Sequence, residues 1–237
     1  PSLSTIIAFT FSEISDIIFF FIVITLQIKL LIKEFANFII FYFNIYLFII
    51  FLKKIYLVKK IAIFGSGFGS NAENICLFFA NSPDIKVVFI GTNNKTAFIV
   101  NRAKKLGLPL VVFSKIELNN FDELYKKLVE KEVDYIVLAG FLQKLPIKMI
   151  EKFPDKIINL HPSLLPKYGG KGMYGNNVHK AVIDANESVS GITIHLVNKK
   201  YDDGEILFQK KCLVSSDETV FTLSKKINNN QLKLRIL

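Results

Sequence analysis

The chain has 237 residues, of which 51% are apolar, with a formal net charge of +10 and only two cysteines. Its basic residues are single Lys and Lys-Lys pairs without an Arg-rich stripe or interleaved aromatic residues, which argues against a nucleic acid partner. A diffuse positive field equally suits phosphorylated, polyanionic small molecules. Cys76 and Cys212 have neither paired nor metal-like spacing, so we expect two reduced thiols in a cytosolic protein.

Residues 1–58 differ in composition from the rest of the chain. They hold 11 of the 23 Phe and only seven charged residues. Phe35–Leu52 is an apolar run of eighteen residues interrupted by two Asn, close to the length that crosses a bilayer. If this run spans a membrane, the lysines that follow it place the remainder of the chain in the cytoplasm.

A second interpretation of residues 1–58 is that they are upstream read-through. The chain starts at Pro1 and contains no Met before Met149, so its first residue is not an ordinary initiation site. We favour this interpretation over the membrane anchor. In the read-through interpretation, residues 1–58 are a hydrophobic extension that does not belong to the natural protein. We expect a membrane partner only if these residues are a genuine part of the protein.

From residue 59 the sequence alternates short apolar strands with helical stretches, the pattern of a parallel sheet crossed by helices. The predicted strands are Lys60–Phe64, Lys86–Ile90, Leu110–Val112, Tyr135–Leu138, Ile157–Leu160, Ile192–Leu196 and Ile206–Lys211. The predicted helices are Asn71–Phe79, Thr96–Leu106, Phe121–Glu130, Ile147–Lys152, Gly175–Ala185 and Thr219–Ile227. Residues 59–237 are therefore predicted to form an α/β domain, a Rossmann-like mostly parallel sheet with flanking helices. The last two strands have no helix between them, so we expect an antiparallel or irregular end.

A glycine-rich loop, Gly65 to Asn71, follows the first strand and opens a helix. Backbone N–H groups and the helix dipole can hold a phosphate at such a place. The loop lacks the glycine that a dinucleotide fingerprint needs at position 70, and no acidic residue ends the second strand, so a nicotinamide cofactor is disfavoured. A tight strand-to-helix turn without any ligand would explain the same glycines.

The segment Ile157 to Gly170 carries the strongest functional signal, because a β-branched run delivers Asn159 and His161 two residues apart before Pro162 ends the strand. Side chains alternate along a strand, so these two share a face. An amide donor beside an imidazole at the end of a strand suits acyl transfer, in which an oxyanion forms and a proton moves. A core Asn and His satisfied by backbone partners is the alternative.

Two features follow this pair. Residues 169–175 contain four glycines, which predicts a mobile flap over the pair rather than an ordinary surface loop. His195 lies on a later strand, where we expect it to support the site or the core rather than to react. The chain has three His without metal-like spacing, which argues against a metal site.

The Asn-x-His pair followed by Pro-Ser-Leu-Leu-Pro closely resembles the signature of the folate-dependent formyltransferases that use 10-formyltetrahydrofolate. The run Lys167 to Gly175 and the later His195 and Asp202 are most similar to the branch that formylates glycinamide ribonucleotide in purine biosynthesis. The resemblance spans about residues 59–227. It implies those two small molecules as substrates, with the folate as co-substrate, and no covalent enzyme intermediate.

The resemblance also implies residue roles. Asn159, His161 and Asp202 would be catalytic, with Asp202 raising the pKa of His161 so that the protonated imidazole and the Asn159 amide stabilise the oxyanion. The expected phosphate-binding residues are Gly69, Ser70 and Asn71. The expected folate-binding residues are Leu142, Gln143, Lys144, Leu145 and Asn159. Family members often carry a basic residue at the position of Gln143 and an Arg upstream, for which Lys115 is the nearest candidate.

Other functions remain open at this stage. Methionyl-tRNA formyltransferase and formyltetrahydrofolate deformylase share Asn-x-His, and a catalytically inactive, membrane-tethered binding module would carry the same fold. Without the resemblance, Asp202 and Asp203 would be ordinary turn residues. After about residue 227 the Asn-rich sequence departs from the family's Glu-bearing helix, so we expect a truncated or altered C-terminus.

Overall fold

The computed structural model describes residues 3–55 and 58–232, and the side chains of residues 19–49 and 58–228. The chain divides into two units, Pro1–Leu57 and Val58–Leu237. Its first unit contains, among the described residues, the helix α1 (Leu3–Ile55), most of whose large apolar side chains between residues 19 and 49 are exposed. Across the described residues, no helix combines the length and the apolar character needed to cross a bilayer. Residues 50–52 of the predicted apolar run lie outside the described side chains.

The second unit is built on one seven-stranded sheet. Its strands are β1 (Lys59–Phe64), β2 (Ile85–Thr92), β3 (Leu110–Val112), β4 (Tyr135–Leu138), β5 (Ile157–His161), β6 (Val189–Leu196) and β7 (Ile206–Leu213). They lie in the order β3-β2-β1-β4-β5-β6-β7, and the first five are parallel. The pairs β5–β6 and β6–β7 are antiparallel. Both the mostly parallel sheet and its antiparallel end confirm the sequence-based expectation.

Helices connect these strands. They are α2 (Ser70–Phe79), α3 (Ile99–Lys105), α4 (Lys115–Asn120), α5 (Asp122–Glu130), α6 (Ile147–Lys152), α7 (Asn176–Asp184) and α8 (Val220–Leu232). Helix α4 was not predicted; it is six residues long and ends in two Asn, which have low helix propensity. Its start was nevertheless readable, since Ser114 and Glu117 form a reciprocal capping box.

Alternation along the central strands sends apolar side chains to both faces of the sheet. Ile61 and Ile63 of β1 pack on one face with residues of α2 and α3. Ala62 and Phe64 pack on the other face with residues of α4, α5 and α6. Burial on both faces fixes the register of β1, because a slip of one residue would exchange the two sets.

The strand order reverses at β1, which has β2 on one side and β4 on the other. Ligands in open α/β sheets bind beyond the carboxyl ends of the strands at such a reversal. The loops that follow β1, β4 and β5 therefore meet at one edge of the sheet. Most of the predicted site residues belong to these loops or to the strand ends that precede them.

We expect the second unit to fold without the first, because its sheet and its apolar clusters contain only residues from 59 onward. Residues 58–237 expressed alone should give a cooperative thermal transition by circular dichroism. The full chain serves as the comparison. A fragment without a cooperative transition, beside a full chain that has one, would show that residues 1–57 are needed for folding.

Candidate active site

A cavity of about 620 Å³ opens at the carboxyl ends of β1, β4 and β5. It is lined by most of the residues that the sequence singled out: Asn71, Leu142, Gln143, Lys144, Leu145, Asn159, His161 and Asp202. Two predicted phosphate-binding residues, Gly69 and Ser70, are not part of its lining. The fold thus brings the loop after β4, the end of β5 and the turn after β6 around one space.

Asn159 and His161 project from the same face of β5, as their spacing predicts. The antiparallel strand β6 lies alongside, with His195 opposite Asn159 and Thr193 opposite His161. His161 is only 3% exposed. An imidazole held this deeply is fixed in orientation by its neighbours rather than by solvent.

The two ring nitrogens of His161 have different partners. Nε2 donates a hydrogen bond to the carbonyl oxygen of Tyr168 at 2.8 Å. Nδ1 lies 3.6 Å from Oδ1 of Asp202. A carbonyl oxygen only accepts, so Nε2 carries a proton in either ionisation state, and Nδ1 is the nitrogen that gains or loses one.

Burial lowers the pKa of His161 below its ordinary value, although Asp202 and the Tyr168 carbonyl act in the opposite direction. The expectation that Asp202 leaves this pKa raised is therefore wrong for the ligand-free chain. Desolvation disfavours the charged imidazolium more strongly than one nearby carboxylate favours it. His161 consequently rests in the neutral form at pH 7.

Asp202 lies in the turn between β6 and β7, with its backbone in the left-handed region at φ 50°. Oδ2 accepts a hydrogen bond from the backbone N–H of Gly170 at 2.8 Å. Burial alone would raise the pKa of Asp202, but the imidazoles of His195 and His161 and the Gly170 N–H together lower it. The carboxylate is thus ionised at neutral pH and fixed against the start of the glycine-rich flap.

His195 orients the Asn159 amide. Its Nδ1 donates to the carbonyl oxygen of Leu196 at 2.8 Å, so Nε2 is the ring nitrogen that faces Asn159 and Asp202. Nδ2 of Asn159 donates to that nitrogen at 3.0 Å and lies 3.5 Å from Oδ1 of Asp202. The amide N–H₂ is thereby directed toward the His195 and Asp202 side of the cavity.

The glycine loop is held by residues that the sequence analysis did not single out. The Ser66 hydroxyl donates to Oδ1 of Asn93 at 2.6 Å and accepts from the backbone N–H of Leu142 at 2.9 Å. Arg102 donates to the carbonyl oxygen of Phe68 and pairs with Glu73. Ser66 therefore joins the loop after β1 to the loop after β4, a link that sequence spacing alone does not reveal.

Gly69 precedes α2 with its backbone in the left-handed region at φ 75°. A Cβ atom there would lie 2.6 Å from a side-chain carbon of Ile99 and 3.0 Å from its Cα. Only glycine fits this close approach. Ser70 starts α2, so the predicted phosphate-binding residues lie at the N-terminus of that helix, where Asn71 also lines the cavity.

The predicted folate residues follow β4. Leu145 is 5% exposed and packs in the core, whereas Leu142 is 47% exposed at the cavity. The Lys144 ammonium lies 5.2 Å from the centre of the Tyr201 ring. Lys115, considered as a possible basic contact, begins α4 and is not part of the cavity lining.

Titratable side chains near the cavity do not form a metal-binding group. Within residues 3–55 and 58–232, no cluster of three or more His, Cys, Asp or Glu has the arrangement that would hold a metal ion. His179 of α7 also lines the cavity, and burial lowers its pKa to about 4, so it is neutral at pH 7.

Comparisons with known proteins identify the family to which this chain is similar. Residues 59–236 match the family model described as formyl transferase. A phosphoribosylglycinamide formyltransferase of Arabidopsis thaliana, described as chloroplastic, is 39% identical over 186 residues, which cover 75% of this chain and 63% of that protein. The chain thus spans less than two thirds of that relative. A phosphoribosylglycinamide formyltransferase of Haemophilus influenzae is 32% identical over 183 residues, 75% of this chain and 84% of that protein.

The fold is likewise similar to solved structures. The crystal structure of phosphoribosylglycinamide formyltransferase from Bacillus halodurans aligns with a TM-score of 0.67 and 30% identity, covering 75% of this chain and 91% of that one. The family match lies within the second unit, which contains the cavity.

Proposed function

Because this chain belongs to the formyl transferase family, we propose that it transfers the formyl group of 10-formyltetrahydrofolate to the amine of glycinamide ribonucleotide, a step of purine biosynthesis. The observation that carries the proposal is the group of Asn159, buried His161 and Asp202 on one wall of a cavity of about 620 Å³. That volume is typical of small-molecule sites. Relatives named for this activity support the choice of substrates.

The proposed reaction needs no covalent intermediate on the enzyme. The glycinamide nitrogen forms a bond to the formyl carbon, and the carbonyl π electrons move to oxygen. The Asn159 amide donates a hydrogen bond to this oxyanion. The intermediate collapses by breaking the bond from the formyl carbon to N10 of the folate, which leaves as a protonated amine.

In this proposed mechanism His161 transfers the proton and Asp202 stabilises the protonated imidazole. Neutral His161 has its free Nδ1 available, so it can take the proton from the attacking amine, directly or through water, and return it to N10. The Asp202 carboxylate, 3.6 Å away, stabilises the imidazolium between these steps. The lowered pKa of His161 suits this order of events, because the base must be unprotonated at the start.

We further propose that the folate lies against the loop of residues 142–145 and that the ribonucleotide phosphate lies at the N-terminus of α2. Exposed Leu142 offers apolar surface at the cavity, and backbone groups of the loop offer hydrogen bonds. Ser70 and Asn71 begin α2, where the backbone N–H groups of a first helical turn point toward the site and the helix dipole favours an anion.

The experiment that tests the proposed function is a formyl transfer assay on the full chain, followed by absorbance. Glycinamide ribonucleotide and 10-formyltetrahydrofolate should give formylated product and tetrahydrofolate. Formyl-accepting methionyl-tRNA and water serve as competing acceptors. Formylation of the tRNA would instead identify the activity as that of a methionyl-tRNA formyltransferase. Release of formate without any acceptor would identify it as that of a formyltetrahydrofolate deformylase.

Removing the Ser70 hydroxyl tests the phosphate site. We expect Ser70→Ala to raise the KM for glycinamide ribonucleotide about tenfold, the scale of one lost hydrogen bond to a charged group, and to leave the KM for the folate unchanged. Thr96→Ala is a matched control, because it removes an exposed hydroxyl that bonds only to Asn94. Equal changes in both KM values would count against the assignment.

We place this activity in residues 59–237 and in the cytoplasm. Neither Cys76 nor Cys212 takes part in a disulfide within the part of the chain that the structure describes, which supports a reducing compartment. Fractionation of cells that express the full chain tests the compartment. Recovery of the activity in membranes or in an organelle would overturn the assignment to the cytoplasm.

A further inference from the structure

Tyr168 connects the catalytic cavity to a second place in the fold. Its carbonyl oxygen accepts the hydrogen bond from Nε2 of His161, and its hydroxyl donates to Oε1 of Glu187 at 2.8 Å. Its backbone lies in the left-handed region at φ 56°, a rare conformation for a bulky residue. A residue in this conformation keeps it only where its surroundings hold it.

Glu187 lies outside the catalytic cavity, in the turn between α7 and β6. It borders a separate cavity of about 240 Å³, together with Tyr168 and Lys167. Its Oε1 also accepts a hydrogen bond from Nζ of Lys167 at 2.8 Å. The contacts from Lys167 and Tyr168 lower the pKa of Glu187, so the acceptor is a carboxylate at neutral pH.

The same loop is held from its inner side. The hydroxyl of Ser163, which is fully buried, donates to the carbonyl oxygen of Lys167 at 2.9 Å. Ser163 and Glu187 thus hold two consecutive residues from opposite sides. Of these contacts, only the one from the Tyr168 hydroxyl to Glu187 fixes the Tyr168 side chain. The Ser163 hydroxyl holds the Lys167 carbonyl and makes a longer hydrogen bond, of 3.4 Å, to the Tyr168 carbonyl oxygen.

We propose that Glu187 is a positioning residue for the reaction: by holding the Tyr168 hydroxyl, it keeps the Tyr168 carbonyl against Nε2 of His161. A carbonyl at Nε2 selects the neutral tautomer that carries its proton there. The free lone pair of Nδ1 then faces Asp202 and the reacting groups. Without the anchor, part of the molecules would carry the proton on Nδ1 and lack the base that the proposed function needs. The inference rests on that proposed function.

The first measurement is the tautomer of His161 in the ligand-free full chain, read from ¹⁵N chemical shifts at mildly alkaline pH. The unchanged protein should show the Nε2-protonated form alone. Tyr168→Phe, which removes only the hydroxyl, and Glu187→Ala should each show a mixture of tautomers. Unchanged tautomers in both variants would overturn the proposal, whether or not the chain has formyltransferase activity.

The second measurement separates positioning from binding. We expect Tyr168→Phe and Glu187→Ala each to lower kcat about tenfold with both KM values within about twofold, since the aligned base matters in the transition state. Glu187→Gln should recover most of the rate, because its amide oxygen still accepts from Tyr168. A Gln variant as slow as the Ala variant would contradict the hydrogen-bond route.

Asp184→Asn is the matched control, because it weakens an exposed ion pair with Lys180 close to the same turn. It should change neither the tautomer nor kcat. A lowered Tm in the Glu187 variants with an unchanged tautomer and kcat would reduce Glu187 to a structural role. If the unchanged chain transfers no formyl group while the tautomer shifts as expected, the proposed function fails and the positioning of His161 stands.

Discussion

His161→Ala and Asp202→Asn should each lower kcat by roughly a hundredfold or more, the scale of one lost oxyanion donor or general base. The KM values should change little, because these groups act mainly in the transition state. His161 is 3% exposed and touches Asp202 and Tyr168, so Ala leaves a hole as well as removing the base. Asp202→Asn keeps the shape and removes the charge. Steady-state kinetics of the purified variants measure both effects.

The double variant and a neighbouring carboxylate provide the controls. Because the two groups act as a unit, the double variant should be little slower than the slower single one. Asp203 is half-exposed and pairs with Lys200 at 3.5 Å, so Asp203→Asn should retain the rate. Loss of activity in Asp203→Asn together with full activity in Asp202→Asn would move the catalytic role to Asp203.

Gly204→Ala should destabilise the fold and lower kcat together. A Cβ atom at this position would lie 1.8 Å from the carbonyl oxygen of Leu196, and a backbone atom at the end of β6 cannot move aside cheaply. Overpacking of this kind costs about 1–3 kcal/mol of unfolding free energy. The turn between β6 and β7 carries Asp202, so the shift that relieves the contact displaces the carboxylate. Chemical denaturation and the transfer assay measure the two effects.

Gly67→Ala provides the comparison for stability. A Cβ atom at Gly67 would meet nothing within 4 Å. Its unfolding free energy should therefore stay close to that of the unchanged chain. If Gly204→Ala were as stable as Gly67→Ala, the turn after β6 would be more adaptable than its close backbone contact indicates.

The sequence predicted the site best where residues able to take part in acyl transfer also follow the alternating pattern of a strand. The spacing of Asn159 and His161 on a strand before Pro162 correctly predicted that both face the cavity. Strand β6 starts three residues earlier than predicted, at Val189 rather than Ile192. Ser190 and Gly191 interrupt the apolar pattern there, yet they pair with Cys212 and Lys211 of β7. Pairing with a neighbour overrode local preference, as is common in sheets.

The missed features depend on distant neighbours. The lowered pKa of His161 follows from the depth of its burial, which no spacing along the chain reveals. Ser66 bonds to Leu142 across 76 residues, and Tyr168 bonds to Glu187 across 19. A Ser in a glycine loop and a Tyr after Pro-Lys have many ordinary explanations. Only the folded chain selects among them.

The antiparallel end of the sheet also has a consequence for the order of folding. Asn159 and Asp202 are separated by 43 residues and come together only when β6 has added to β5. During synthesis, the parallel strands emerge first and can assemble around His161 while its carboxylate partner is still missing. Contacts this far apart in sequence carry a loop-closure cost before they give any stabilisation, so they form late. An unfinished chain would therefore lack the contact between His161 and Asp202, and on the proposed mechanism it could not transfer the formyl group until β6 had paired with β5.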